Sequence, residues 1–245
     1  GLGPAPRGEA LQQPRRRPSV TTSPPPTVVL LVGPEAAGLA PRLEVSGYRP
    51  QLQETGEDLP AAAVLSPGSE ERIPELRRRM GARPLLLGIT SDSVESRSRC
   101  LEWGADDFWL PSLGTSDLLT RLRLHLGFAR RQAPTPVSTL LKVADLRVDP
   151  VACQGWRGQR QLSLTAREYQ LLLLLLRHKG TVVSREQILE EIWADQGGGA
   201  SNVIEVYVRY LRQKLEQDGE PRLIHTVRGR GYCLGDGRPP VGPLP

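Results

Sequence analysis

Four short, unbroken apolar runs constrain the first half of this chain: Val28-Val29-Leu30-Leu31-Val32, Ala61 to Leu65, Pro84 to Ile89 and Phe108-Trp109-Leu110. None alternates apolar with polar residues, so each predicts a strand covered on both faces, the habit of a parallel sheet. The text between the runs is helical in pattern, with helices predicted at Ala36–Ser46, Glu70–Met80, Val94–Gly104 and Thr115–Ala129. Strands alternating with helices make residues 27–131 a doubly wound α/β domain.

The rhythm then changes. Residues 132–139, with Pro134 and Pro136, read as a linker. Leu141 to Val148 and Ala152 to Leu164 alternate apolar with polar residues around Asp149-Pro150 and Gly155 to Gly158, as a small antiparallel sheet does. Three helices and a final hairpin complete a second, α+β domain over 140–235. Residues 1–26 carry Arg15-Arg16-Arg17 and Pro24-Pro25-Pro26 with little to bury, and are expected to be a disordered basic extension; 236–245 are expected to be a disordered tail. A solvated extension is the plain reading of the first, a DNA-touching arm the sharper one.

Charge narrows the partners only weakly. The formal net charge is +5, but residues 27–131 hold 13 Lys+Arg against 14 Asp+Glu, so the excess lies in the flanks. Cys100, Cys153 and Cys233 are distant from one another, which supports neither a disulfide framework nor a zinc site. The longest apolar run, Leu171 to Leu176, is too short to span a bilayer. The expectation is a cytoplasmic protein with no membrane segment, no metal and no cofactor.

In the second domain Thr165 stands at a helix N-cap with Glu168 three residues on, the arrangement of a capping box. Ser184 repeats it with Gln187 at the reciprocal position, ahead of Ile188, Ile192 and Trp193. In a third helix Ile204, Val208, Leu211 and Leu215 recur at helical spacing, so one face is core. The opposite side carries Asn202, Arg209 and Gln213, with Arg212 on a flank. Amide and guanidinium groups on an exposed helix face suit major-groove reading, because Asn and Gln pair with adenine and Arg with guanine. A solvated polar face is the plain alternative. The last segment, Leu223 to Leu234, reads as two strands joined by the tip Arg228-Gly229-Arg230, whose arginines suit a phosphate or a narrow minor groove.

Four ordered motifs carry a resemblance. They are Leu164-Thr165-x-x-Glu168-Tyr169-x-Leu171-Leu172, Val183-Ser184-Arg185-Glu186-Gln187-Ile188-Leu189, Val206-Tyr207-Val208-Arg209-x-Leu211-Arg212-x-Lys214-Leu215 and Thr226-Val227-Arg228-Gly229-x-Gly231-Tyr232. Together they resemble the winged helix-turn-helix of OmpR/PhoB-type response regulators. The resemblance implies a homodimer on double-stranded promoter DNA, with Asn202–Leu215 in the major groove and Thr226, Arg228 and Arg230 at the adjacent minor groove or backbone. It places Asn202, Tyr207, Tyr210 and Arg212 at DNA-facing positions. It also implies that the loop Asp195–Ala200, including Gln196 and Gly197, faces RNA polymerase. Tyr207 and Tyr210 depart from the His and Arg common there.

The first domain resembles the receiver of the same family, chiefly through Gly104-Ala105-Asp106-Asp107-Phe108 and the hydroxyl of Thr90. The residues for phosphoryl chemistry differ. Gly33-Pro34 stand where the resemblance requires an acidic pair for Mg²⁺, Ser66 where it requires the phosphoacceptor Asp, and Leu110 where it requires Lys. A degenerate, non-phosphorylatable pseudo-receiver is expected, with a reduced or absent helix between Tyr48 and Ser66. Asp106, Asp107, Arg121 and Arg123 are candidates for cross-subunit ion pairs on the family's dimer face.

An enzyme is not expected. Gly33-x-x-x-x-Gly38 after a strand lacks the Lys and Ser/Thr of a phosphate-binding loop, since Leu39-Ala40 follow. His125, His178 and His225 are isolated. The alternative to a DNA-reading regulator is an interaction scaffold on RNA polymerase or another regulator, against which Arg209, Arg212, Arg228 and Arg230 speak.

Overall fold

The computed structural model describes residues 24–52, 58–133, 139–196 and 202–237, together with residues 1 and 3. Five parallel strands form the first sheet: β1 (Thr27–Val32), β2 (Tyr48–Gln51), β3 (Ala62–Leu65), β4 (Leu85–Gly88) and β5 (Asp107–Trp109), in the order β2-β1-β3-β4-β5. Strands β3 and β4 are buried along their whole length, as their unbroken apolar text requires. One face of the sheet is covered by α3 (Ile73–Met80) and α4 (Val94–Glu102), and the other by α1 (Pro34–Ala37), α2 (Ala40–Val45) and α5 (Thr115–Arg131). This is the expected doubly wound, receiver-like domain.

Three local departures have physical causes. The single helix expected over Ala36–Ser46 is split, because Pro41 lacks an N–H and its ring would strike the carbonyl of Ala37. Strand β2 escaped the sequence reading: Tyr-Arg-Pro-Gln is not apolar, and Pro50 is tolerated because β2 is an edge strand. Among the described residues no helix links β2 to β3; residues 53–57 lie outside them.

The second domain opens with the antiparallel sheet β6 (Leu141–Val143), β7 (Leu146–Asp149), β8 (Gln154–Arg157) and β9 (Arg160–Gln161). Then follow α6 (Ala166–Arg177), β10 (Val183–Ser184), α7 (Arg185–Ile192), α8 (Val203–Leu215) and the hairpin β11 (Ile224–Val227) with β12 (Gly231–Leu234). β12 sits between β10 and β11, so the hairpin is fastened beside the start of α7. Leu171 to Leu176 are all buried, and with Ile188, Ile192, Val208 and Leu211 they form one core. The capping box of Thr165 and Glu168 is complete. Ser184 caps α7 through Gln187 N–H, but the Gln187 side chain turns to Glu191 instead of reaching back.

The two domains are in contact. Ala82 N–H donates to Cys153 O at 2.9 Å, Arg83 Nη1 to Ala152 O at 3.0 Å, and Gln154 Nε2 to Arg78 O at 3.0 Å. Gly81 makes this approach possible: its φ is +62°, and a Cβ there would lie 2.4 Å from Cys153 O. Ala82 and Phe128, from the receiver-like half, are buried within the core of the C-terminal half.

Candidate nucleic-acid interface

The inner face of α8 is Ile204, Val208, Leu211 and Leu215, all buried as their spacing predicts. Packing this stripe on α6 leaves Asn202, Arg209 and Gln213 exposed. Arg228 and Arg230 are exposed at the hairpin tip, and neither side chain has a hydrogen bond or ion pair among the described residues. Uncompensated guanidinium groups beside an exposed amide-bearing helix are what a phosphate backbone attracts.

Arg212 lies on the flank of α8, where it is tied to the hairpin. Its Nε and Nη2 donate to Ile224 O at 3.0 and 2.8 Å, and Nη2 also reaches Thr226 Oγ1 at 2.9 Å. The guanidinium thus ties α8 to β11 and engages Thr226, which is exposed, while both residues still line the open groove. Burial, with Arg222 nearby, lowers the Arg212 pKa. The groove between α8 and the hairpin measures about 700 Å³, and Arg185, Arg209, Arg222 and Gln213 line it. Arg185 and Arg222 were not singled out from sequence. Arg185 pairs with Glu205 and stands over the Tyr232 ring at 5.6 Å, while Arg222 pairs with Glu216 at 3.0 Å.

The tyrosines diverge. Tyr207 is half-buried, tilted against Trp193 at 5.1 Å, and its phenol is pushed up to about 12 by burial and by the nearby carboxylates Asp106 and Glu168. Tyr210 is exposed, with its ring 6.3 Å from that of Tyr207. In the loop before α8, Asp195 pairs with Arg167 of α6 at 2.9 Å; Gln196 closes a 3-10 turn, and Gly197 lies outside the described residues.

Of the four residues expected at a dimer face, Asp106 is not available on the surface. Its side chain is 2% exposed and bonds Arg77 Nη2 at 2.8 Å, Leu85 N–H at 2.7 Å and, across the domain contact, Ala166 N–H at 2.7 Å. Asp107 pairs within its own chain with Arg121 at 2.9 Å and His125 at 3.0 Å. Burial alone would raise the Asp107 pKa, but His125, the Phe108 N–H and Arg121 outweigh it and hold the carboxyl below the ordinary value. Arg123 is exposed.

At the end of β1, Gly33 has φ +91°, and a Cβ there would lie 2.5 Å from Ser66 Oγ. Ser66 is 1% exposed, and its Oγ accepts the Ala36 N–H at 2.9 Å. Leu110 is buried in the core, Trp109 Nε1 donates to Leu65 O at 2.9 Å, and Thr90 and Pro34 are exposed. A side chain at position 33 would have to displace Ser66 and hold a strained backbone, and Ser66 brings a hydroxyl in place of a carboxylate. These residues do not fit a Mg²⁺ ion, which needs hard, charged oxygens. Among the described residues no group of three or more His, Cys, Asp or Glu is placed to hold a metal. No helix of the described residues is long and apolar enough to cross a membrane.

Residues 158–234 match the family of transcriptional regulatory protein C-terminal domains. Over 203 residues the chain is 38% identical to the response regulator MprA of Mycobacterium bovis, covering 82% of this chain and 76% of that protein; MprA of Mycobacterium avium gives the same identity over 77% of its length. The chain belongs to the OmpR/PhoB-type response regulators. Its fold as a whole is also similar to that of a RitR mutant, with a TM-score of 0.67 and 26% identity over 86% of this chain and all of that one. The protein is therefore a response-regulator transcription factor with an OmpR-family DNA-binding domain.

Proposed function

We propose that this response regulator reads specific duplex promoter DNA as a homodimer, and that its receiver-like domain takes its input by a route other than aspartyl phosphate. The observation that carries the first part is the coexistence of exposed Asn202, Arg209 and Gln213 on α8, read here as the recognition helix, with exposed Arg228 and Arg230 on the β11–β12 hairpin, read here as the wing, neither arginine being paired among the described residues. Arg209 and Gln213 supply base-edge contacts, Asn202 a contact at the helix start, and the wing arginines grip phosphate or the minor groove. Tyr210 adds an exposed aromatic edge beside Arg209, whose guanidinium lies 5.5 Å from its ring centre. Arg212 with Thr226 positions the wing, and Tyr207 is a packing residue that reaches DNA only if it turns outward.

The Gly33, Pro34, Ser66, Thr90 and Leu110 constellation supports the second part. A buried serine hydroxyl already accepting a hydrogen bond, with Gly33-Pro34 in place of an acidic pair and Leu110 in place of lysine, is a poor phosphoacceptor. The loop of Asp195, Gln196 and Gly197 is the surface offered to RNA polymerase, and the site of action is the cytoplasm. Exposed Arg123 is the remaining candidate for a cross-subunit pair.

The test is selection of the full-length protein on a pool of random duplexes with no phosphodonor and no Mg²⁺, repeated with Arg209→Ala and Arg228→Ala. A repeated motif at fixed half-site spacing that weakens in both variants is expected. Retention of no motif by wild type, or equal retention by all three proteins, refutes the proposal.

A further inference from the structure

An apolar stripe seats a helix without fixing where it stands. Hydrophobic contact is non-directional, so Ile204, Val208, Leu211 and Leu215 hold α8 against the core but leave its position along and about its own axis to directional bonds. The two ends of α8 differ in the bonds they make. At the start, among the described residues, Asn202 makes no side-chain cap, and the pair of Glu205 with Arg185 is exposed, a kind that contributes little.

The other end is held on two sides. The last carbonyls of a helix have no partner within it and form the negative end of its dipole. In α8 two arginines of the β8–β9 hairpin donate to them. Arg157 Nη1 donates to Leu215 O at 2.9 Å, and Arg160 Nη1 donates to Lys214 O at 2.9 Å, with Arg160 Nη2 3.5 Å from Leu215 O. The same two guanidinium groups hold the chain that leads into β11. Arg157 Nη1 and Nη2 each donate to Pro221 O at 3.3 Å, and Arg160 pairs with Glu220 and, at 3.1 Å, with Asp218. The Arg157 side chain is 1% exposed, and its Nε donates to Asp145 Oδ1 at 2.9 Å, so the planar fork is fixed from behind.

This clamp stands close to the reading face. Gln213 and Arg209 lie two and six residues before Leu215, about 3 and 9 Å along the helix axis, so any displacement of the clamped end is passed to both. On the other side β11 starts three residues after Pro221 and runs up to Arg228. Hydrogen bonds to base edges weaken steeply when donor and acceptor are misaligned, whereas attraction to phosphate tolerates displacement. Neither Arg157 nor Arg160 lines the groove between α8 and the hairpin, so they act through the residues that do.

We propose that Arg157 and Arg160 are positioning residues for base reading: bonded at once to the end of α8 and to the lead-in of β11, they lock helix and hairpin into one unit and set the spacing between Arg209, Gln213 and Arg228. The proposal rests on the DNA-binding reading above and assigns part of its specificity to residues that do not touch DNA.

Arg160 is the residue to change, because removing the buried Arg157 strips the Pro221 carbonyl of its donors and endangers the fold. Arg160→Lys keeps the charge but puts one ammonium where the fork reaches Lys214 O, Leu215 O and Glu220 together. Arg160→Ala removes the charge as well. Each full-length variant is melted, then titrated below its Tm with the selected duplex and with a shuffled duplex of equal length, at several salt concentrations. Both variants should lose about tenfold in the ratio of the two affinities, the effect of one misplaced bidentate contact, while Arg160→Lys keeps the wild-type salt slope and shuffled-duplex affinity. A ratio unchanged in both variants overturns the proposal. So does an Arg160→Lys ratio equal to wild type beside a lowered Arg160→Ala ratio, because charge alone then accounts for the effect. A smaller salt slope in Arg160→Lys, with both affinities falling together, also overturns it, because Arg160 then touches phosphate. If wild type itself does not distinguish the two duplexes, the DNA reading fails and takes this proposal with it.

Discussion

Restoring an acidic residue at the end of β1, by Gly33→Asp, will destabilise the protein instead of rebuilding a phosphorylation pocket. Two costs follow from the geometry. A non-glycine residue at φ +91° pays about 1–3 kcal/mol of backbone strain. A Cβ placed 2.5 Å from Ser66 Oγ and 2.6 Å from Ser66 Cβ must displace a side chain that is 1% exposed and bonded to the Ala36 N–H, an overpacking cost of about 1–3 kcal/mol. The sum, about 4 kcal/mol, corresponds to a fall in Tm of roughly 8–16 °C for a chain of this size. Gly33→Ala should lose nearly as much, because the Cβ carries most of the penalty. Thermal unfolding by circular dichroism, with and without Mg²⁺, measures both variants. If Gly33→Asp melts at the wild-type temperature and Mg²⁺ raises it further, the pocket is more accommodating than its packing implies and the reasoning fails.

Other expected outcomes test separate links. Thr165→Ala removes the capping box and should lower stability by about 1 kcal/mol, read by urea denaturation. Arg212→Ala should lower both stability, by about 1–3 kcal/mol, and DNA affinity, since it unties the wing from α8. By contrast, Arg228→Ala should leave stability within about 0.5 kcal/mol and reduce the slope of log affinity against log salt by about one. Asp107 has a lowered pKa in the fold, so the stability it contributes is complete above about pH 4 and is lost as pH falls through its folded value. Melting curves of wild type and Asp107→Asn should therefore differ at pH 6 and converge toward pH 2; a constant gap would discount the Asp107 pairings.

Much of the fold is written locally and was legible for that reason. A capping box, a period of three and four in α8 and unbroken strand text each specify their own neighbourhood, and all three stand in the structure. What escaped depends on distant partners. Strand β2 exists because β1 supplies its one neighbour, not because Tyr48-Arg49-Pro50-Gln51 favours a strand. Arg212 looks like a DNA reader in a one-dimensional motif, and only the pairing of distant β11 beside α8 shows that its Nε and Nη2 also tie the helix to Ile224 O and Thr226 Oγ1. Asp106 has the composition of a surface ion pair. Its burial follows from Arg77, 29 residues earlier, and from Ala166, 60 residues later, neither of which a local window relates to it.

The placement of Ala82 and Phe128 inside the core of the C-terminal half bears on how the molecule comes apart. A domain boundary drawn along the chain at the linker is not a boundary of cooperativity, because melting the receiver-like half withdraws two buried side chains from its neighbour. With the Gly81 approach and the Asp106 bond holding the same seam, the two halves should denature in a single transition, and the C-terminal half alone should carry an open apolar scar where those two residues sat.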